Sequence, residues 1–551
     1  MSPLSTRTFL AAMLVLFTVL TAAMTFPQVL HLRDGVHDDG DPLLNTWALS
    51  WVAHQLPRAP ARLFDANIFY PERRTLAFSE TLIAPALVAA PLQWAGVGPI
   101  LIYNLVFLSG FIVSGAGMAL LVRQLTGSTG AAILGGIVFA FLPYRIDHYA
   151  HLQLQQTQCL PFAFWAFHRL LRTGDLRDGA LVGAFTAGQI LSCMYYGLFL
   201  LPYMAVVCGT MLVAERAMPT RRLKAIALAA AMTIVAVIPV GRAYLGARTV
   251  VGERHLSEVA EGSATWRNYL GSPPANLIYG KAFERFATHE RRLFPGLVAV
   301  VLAAVALWPP VAVPRVAYAL GLLLAFDVSL GVNGFTYPVL YDAFLPFRGL
   351  RIPARMGIMA GFSLAVLAGY GAVRVTGALR SPRARAAATA VIGALMLVEY
   401  ASRPIDLQVI PTAAPEVYAD VVRDRGDSPT AQLFEFPASP KDDPTYMYYS
   451  TFHWQSLVNG YSGFFPPSYV RLTQAMENFP DNDSIGAMKA HGTRYLLVHG
   501  ERLLGDRYEA VLPRLDRRPD LTLVSRRPAM REGQHGEISL YRVSYAAGPQ
   551  P

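Results

Sequence analysis

The chain has 551 residues, 53% hydrophobic and only 15% charged, against about 25% charged in a soluble domain. Its charges are sparse from 8 to 402 and dense from 403 to 551, which excludes a single soluble globule and reads as a membrane region followed by a water-soluble one. The net charge of +10 does not point to nucleic acid, because the arginines cluster in short stretches between apolar runs, where topology signals belong.

The first apolar run, 8–26, follows Arg7 and is long enough to span a bilayer. No clear small-x-small cleavage site follows it, so it reads as a retained helix and not as a signal peptide. Ten further runs lie near 99–122, 128–144, 155–171, 178–196, 198–214, 222–241, 293–308, 313–330, 353–374 and 385–402. The expected fold is therefore a polytopic α-helical membrane protein of about eleven spans. The run 80–96 carries Pro85 and Pro91 and is read as a re-entrant or interfacial helix. With that reading Arg123, Arg169, Arg172, Arg177, Arg216, Arg221, Arg222, Lys224, Arg315, Arg374, Arg380, Arg383 and Arg385 all fall on the cytoplasmic side. The N-terminus is then cytoplasmic. Segments 27–79, 145–154, 242–292 and 331–352, and the tail 403–551, are then outside, in the periplasm of a bacterial inner membrane.

The first outer segment places Asp34, Asp38, Asp39 and Asp41 just beyond the first span. After Pro42, the residues Leu43, Trp47, Trp51 and His54 recur at helical spacing, as in an amphipathic helix on the membrane surface. Carboxylates there suit either proton abstraction from an acceptor hydroxyl or a divalent metal. The plain alternative is a solvated turn that caps a helix. Arg73 and Arg74 follow in the same loop and suit lipid phosphate or simple anchoring. The second segment crowds Arg145, Asp147, His148, His151, Gln153 and Gln155 at a span end. Such groups can bind phosphate or metal, or move a proton. In the fourth, Arg348, Arg351 and Arg355 break the charge rule on the outer side, which suits binding of a lipid-linked phosphate, with membrane anchoring as the alternative. The third is long and mixed, with Glu253, Glu258 and Glu261 as its noted acids.

The tail has strand-like runs at 431–436, 495–499, 521–525 and 538–543, with helical stretches near 415–425, 468–478 and 504–514. That pattern predicts a small α/β domain. Its aromatic, Gly/Pro-punctuated loop 453–469 suits stacking on sugar rings, or packing on the membrane domain. Cys159, Cys193 and Cys208 lie in or beside apolar stretches without metal-ligand spacing, so neither a disulfide framework nor a cysteine zinc site is expected. No nucleophile elbow, phosphate-cradling glycine loop or HExxH is present.

Acids after the first span, helices in the first outer loop, many spans and an outer C-terminal domain together resemble glycosyltransferases of the GT-C superfold. These include protein mannosyltransferases, aminoarabinose transferases and bacterial family-39-like enzymes. The phrases FRGLRIPAR and LVNGYSGFFPPSY are also similar to those of uncharacterised bacterial relatives in this group. The resemblance covers the membrane region, mainly 1–175, and is architectural. It implies a GT-C-like transmembrane domain over 1–402, with the first outer loop at 27–79, and a periplasmic domain over 403–551. It further implies an inverting, hexosyltransferase-type reaction. A sugar would leave a polyprenyl-phosphate donor for a glycan, lipid or protein acceptor of the cell envelope. By that resemblance Asp39 and Asp41, with Asp38 third, are the catalytic base, or the ligands of a divalent metal if one is used. Arg145, Arg351 and Arg355 would hold the lipid phosphate, and His148 or His151 would orient or protonate it. The sequence has Asp39-Gly40-Asp41 where some members have an acidic dipeptide, so both acids stand as candidates. Two other readings are a transporter or flippase of lipid-linked saccharide, for which Asp327 and Glu399 are the main acidic candidates, and a non-catalytic envelope assembly protein.

Overall fold

Small residues set the packing at the centre of the membrane region. In the computed structural model, the helix Gly357–Gly377 is buried along most of its length and contacts Thr129–Phe141, Leu297–Leu307, Val313–Ser329 and Pro382–Tyr400. Glycines make these approaches possible. A Cβ built on Gly371 would lie 1.9 Å from the Leu302 carbonyl oxygen, and one on Gly361 would lie 2.2 Å from Leu142 Cδ1. The structure describes residues 5–215, 219–428, 430–503, 507–531 and 534–545. Arg216 of the predicted basic clusters and the first three positions of the predicted 504–514 helix lie outside the described residues.

Every predicted apolar run contains a helix. Among the described residues, six helices are long and apolar enough to cross a membrane: Thr6–Met24, Pro99–Thr126, Thr129–Asp147, Met194–Ala214, Thr220–Val251 and Pro353–Gly377. The remaining runs form helices from 11 residues (Leu297–Leu307) to 19 residues (Pro382–Tyr400). Apolar side chains face outward on several of them, as at Val15 (68% exposed) and Val235 (70% exposed). Water would penalise such a surface and lipid does not. The chain is thus a multi-pass membrane protein.

By contact the chain forms two compact units. The first is Met1–Leu32, Asn104–Pro239 and Glu253–Asp406; the second is Arg33–Tyr103, Val240–Gly252 and Leu407–Pro551. The first holds most of the helices. The second combines the first outer loop with the tail.

In the second unit, strand β1 (Gly35–Val36) pairs antiparallel with β2 (Gln408–Val409). Two strands cannot pair through a bilayer, so the first loop and the start of the tail lie on one side of it. An even number of crossings therefore separates them. The remaining strands are β3 (Gln432–Phe436), β4 (Ser456–Leu457), β5 (Tyr495–His499), β6 (Leu521–Arg531) and β7 (Gln534–Val543). They form a five-stranded sheet in the order β4-β3-β5-β7-β6. β3 runs parallel to β4 and β5, and β7 runs antiparallel to β5 and β6. Helices Val417–Asp424, Pro467–Ala475 and Arg507–Asp516 fall in the three predicted helical stretches.

The helix Asp41–Gln55 starts where expected, but it is not a membrane-surface helix. Its residues from Pro42 to Ala53 are all buried, against Ile83–Trp94 and Asp443–Ser450. Its polar face is made of Asn45, Thr46 and Ser50, which are small enough to be covered. The Trp47 and Trp51 indole N–H groups find acceptors in Asn67 Oδ1 (3.0 Å) and the Leu63 carbonyl (2.8 Å), as buried indoles require. The aromatic loop of the tail packs onto this first-loop layer. Trp454 stacks on His54 at 4.0 Å, and Tyr469 meets Phe69 edge-on at 5.2 Å. Ile83–Trp94 has only 12 residues, a rise of about 18 Å against a hydrocarbon core of about 30 Å, so alone it is too short to cross.

The sheet buries one ionic cluster. His499, at the end of β5, lies between Glu435 Oε2 (2.8 Å from Nε2) and Glu501 Oε1 (2.9 Å from Nδ1). Burial alone would favour the neutral ring, but Glu501 and the two hydrogen bonds outweigh it and raise the imidazolium to about 9. An unfolded histidine titrates near 6.5. The stabilisation is therefore complete below about pH 6.5 and is lost as pH rises through 9, with an upper bound of about 3 kcal/mol. Thermal unfolding of the wild type and of His499→Gln should differ most near pH 6 and converge above pH 9. A gap independent of pH would refute the ion cluster.

Candidate functional site

The site in the first unit begins where the helix Thr129–Phe141 stops. Its last carbonyls need donors, and Arg145 supplies them. Its Nη1 donates to the carbonyls of Phe139 (3.3 Å) and Ala140 (3.2 Å). Its Nε and Nη2 donate to the side-chain oxygen and carbonyl of Gln155, at 3.2 and 2.9 Å. Gln155 Nε2 donates back to the carbonyls of Arg145 (2.9 Å) and His148 (2.8 Å). Arg145 is thus fully buried, with its guanidinium taken up by protein acceptors. It clamps the segment that carries the histidines.

That segment presents His148, whose ring is fully buried. Neither of its ring nitrogens has a hydrogen-bond partner among the described residues, and an orphaned buried polar group costs about 1–3 kcal/mol. Around it stand the His289 ring, 5.0 Å away, and the His151 ring, 5.4 Å away, with 5.9 Å between those two. The third outer segment is tied to the second by Asp147. His289 Nε2 lies 2.9 Å from the Asp147 carbonyl, and Arg292 Nη1 lies 2.9 Å from its Oδ1. Glu290 joins the fourth segment: Arg355 Nη2 donates to Oε1 at 2.8 Å and Nε to Oε2 at 3.3 Å. Glu290 Oε2 is 3.8 Å from His148 Nδ1, too far for a hydrogen bond.

The electrostatics follow from burial and this pairing. Burial drives His148 well below the ordinary histidine range, and the pull of Glu290 does not restore it. His148 is neutral at physiological pH, which suits orienting or ligating and not donating a proton. Burial would raise Glu290, but the Arg355 guanidinium outweighs it and holds the carboxyl far below its usual range. Arg355 also lies 4.8 Å over the Tyr195 ring. The neighbouring Arg351 has an exposed side chain, and its backbone N–H donates to the Tyr195 hydroxyl at 2.8 Å.

Of the expected phosphate-binding residues, the structure gathers His148, His151 and Arg355, with Arg351 beside Tyr195. His289 and Glu290 were not anticipated. Their one local signal is the run His289-Glu290-Arg291-Arg292, which packs four ionisable groups together within the long third segment. Asp38, Asp39 and Asp41 belong to the second unit. There Asp38 Oδ1 accepts the Gly40 N–H at 2.9 Å. Burial raises the Asp38 carboxyl, with the Gly40 hydrogen bond and His37 opposing and Asp41 and Asp39 adding to it. Asp41 opens its helix and accepts a hydrogen bond from the Tyr461 hydroxyl at 2.9 Å.

No protein-family model and no curated protein matches the sequence. Among solved structures, the arabinofuranosyltransferase AftD from Mycobacteria superposes with a TM-score of 0.64 at 15% identity, over 99% of this chain and 42% of AftD. The chain has a GT-C fold. This GT-C chain spans less than half the length of AftD. ArnT from Cupriavidus metallidurans (TM-score 0.47, 13% identity, 97% of this chain and 99% of that one) and AglB from Archaeoglobus fulgidus (0.44, 11%, 98% and 75%) superpose less closely.

Proposed function

We propose that this chain is a membrane glycosyltransferase that moves a sugar from a polyprenyl-phosphate donor to a hydroxyl of an envelope glycan, lipid or protein. The reaction takes place on the outer face of a bacterial inner membrane. The observation that carries this reading is the gathering of His148, His151 and Arg355 on loop segments of a GT-C fold. Such a transfer needs a charged group for the leaving phosphate and a base for the acceptor. Arg351 and Arg355 are assigned the first role, since arginine forks match phosphate oxygens and preorganised charge stabilises a developing anion. His148 orients the phosphate. Asp39 or Asp41 is assigned the second role on its chemistry. The carboxylate takes the hydroxyl proton, the acceptor oxygen bonds to the anomeric carbon, and the bond from that carbon to the phosphate oxygen breaks with inversion.

Specific contacts disfavour the transporter reading. Its acidic candidates both cap helices. Asp327 accepts the N–H groups of Phe335 (3.0 Å) and Thr336 (2.7 Å). Glu399 accepts those of Leu297 (2.5 Å) and Val298 (3.1 Å) at the start of their helix. Both therefore have structural work to do and are poorly placed to carry a proton or ion through a span.

Binding of the sugar-free product tests the phosphate assignment. Native mass spectrometry of the purified protein with polyprenyl phosphate should show one bound lipid, and Arg351→Ala combined with His148→Ala should weaken it roughly tenfold or more. Equal occupancy in wild type and variant would remove these residues from the phosphate site.

A further inference from the structure

We propose that His148, His289 and Glu290 bind a divalent transition-metal ion of the zinc class. One ligand atom from each of the three falls within 4.8 Å of the others. With bonds of about 2.0–2.1 Å to a tetrahedral ion, donor atoms stand about 3.4 Å apart. The 3.8 Å from His148 Nδ1 to Glu290 Oε2 therefore needs only a side-chain adjustment. Two imidazoles and one carboxylate are a donor set that zinc accepts with a fourth position left for water or substrate.

Three independent features point to a ligand here. The first is the orphaned His148, buried with neither nitrogen bonded among the described residues. A metal would satisfy one of them. The second is the outer layer of contacts. A ligating histidine ordinarily donates its other N–H to a carbonyl, and a ligating carboxylate is itself hydrogen-bonded. His289 Nε2 already lies 2.9 Å from the Asp147 carbonyl, and Arg355 Nη2 already holds Glu290 Oε1 at 2.8 Å, while Oε2, which accepts the longer 3.3 Å bond from Arg355 Nε, lies 3.8 Å from His148 Nδ1. The third is access. His289 is exposed while His148 is buried, so the three residues run from surface to interior and give an ion a way in. The Arg355 cation opposes a second positive charge beside Glu290, so the site should bind far more weakly than a structural zinc finger.

The expected metal ligands were Asp39 and Asp41; this assignment places the ion on other residues. Beside Arg355, such an ion would add charge for an anionic donor phosphate. That use rests on the proposed function, whereas the binding of the ion does not.

The test uses the full-length protein in detergent, stripped with a chelator and titrated with Co²⁺ followed by its visible ligand-field absorption. One Co²⁺ per chain should bind tighter than ~10 µM and be displaced by Zn²⁺. His289→Ala removes an exposed side chain, keeps the Arg292–Asp147 tie between the two segments, and should weaken binding roughly 10- to 100-fold. His255→Ala, another exposed histidine of the same loop, should change nothing. Absence of Co²⁺ binding in the wild type, or equal binding in His289→Ala, would overturn the proposal. Because the readout is the metal alone, loss of sugar transfer with Co²⁺ binding intact would count against the proposed function and leave the metal site standing.

Discussion

Asp39→Asn combined with Asp41→Asn is expected to lower glycosyl transfer by roughly 10²- to 10⁴-fold, the range for loss of a general base, while the protein still inserts and purifies. An acceptor hydroxyl is a poor nucleophile until a carboxylate takes its proton. Asparagine keeps the shape of aspartate and cannot take one. The single variants separate the two acids. Asp41 accepts the Tyr461 hydroxyl and starts a buried helix, so Asp41→Asn should also cost some stability. Asp39→Asn is the cleaner probe of the base. Initial rates and thermal midpoints measured on the same preparations would distinguish the two effects. Full activity in the double variant would refute the assignment of these acids as the base.

The second large effect concerns the pair that closes the histidine cluster. Glu290→Gln leaves the Arg355 guanidinium, only 7% exposed, without its counter-charge. Stranding one partner of a buried pair costs about 3–5 kcal/mol. Glu290 is 26% exposed, so the lower end of that range, about 3 kcal/mol, is the expected loss. Replacing both partners, Glu290→Met with Arg355→Met, should recover most of it, since no charge is then left buried. Thermal unfolding of the two single variants and the double variant reads this directly. A double variant no more stable than the singles would show that the pair is not the source of the loss.

The sequence and the structure agree where a signal is local and periodic. Each apolar run holds a helix because a long, mostly apolar stretch satisfies its own backbone in lipid by coiling. Four of the five strands of the tail's main sheet were legible for a similar reason, as short runs rich in β-branched and aromatic residues between turn formers, whereas Ser456–Leu457 lay inside a segment read as a loop. What failed was information carried by distant partners. A cation at a span end suits phosphate equally well whether or not Gln155 occupies it, so the hydrogen bonds between Arg145 and Gln155 had no signal in the sequence. The helix Asp41–Gln55 carries the pattern of a surface helix, and the packing of Ile83–Trp94 and Asp443–Ser450 against it makes it a buried one. His289 and Asp147 meet across 142 residues of chain. No spacing rule reaches that far, so His289 and Glu290 lay unmarked in a long, mixed loop. β1 and β2 are two residues each, too short to show a period, yet they determine that the first loop and the tail share a side.

The most direct measurement of the central claim is turnover by the purified protein in nanodiscs, supplied with a panel of polyprenyl-phosphate sugars labelled in the sugar and with a mixture of envelope acceptors. The account predicts that at least one donor releases polyprenyl phosphate as its label passes to an acceptor, and that this stops in the Asp39→Asn, Asp41→Asn protein. Release that persists in the double variant, or a folded wild type that turns over none of the panel and instead moves the intact donors across the bilayer, would contradict it.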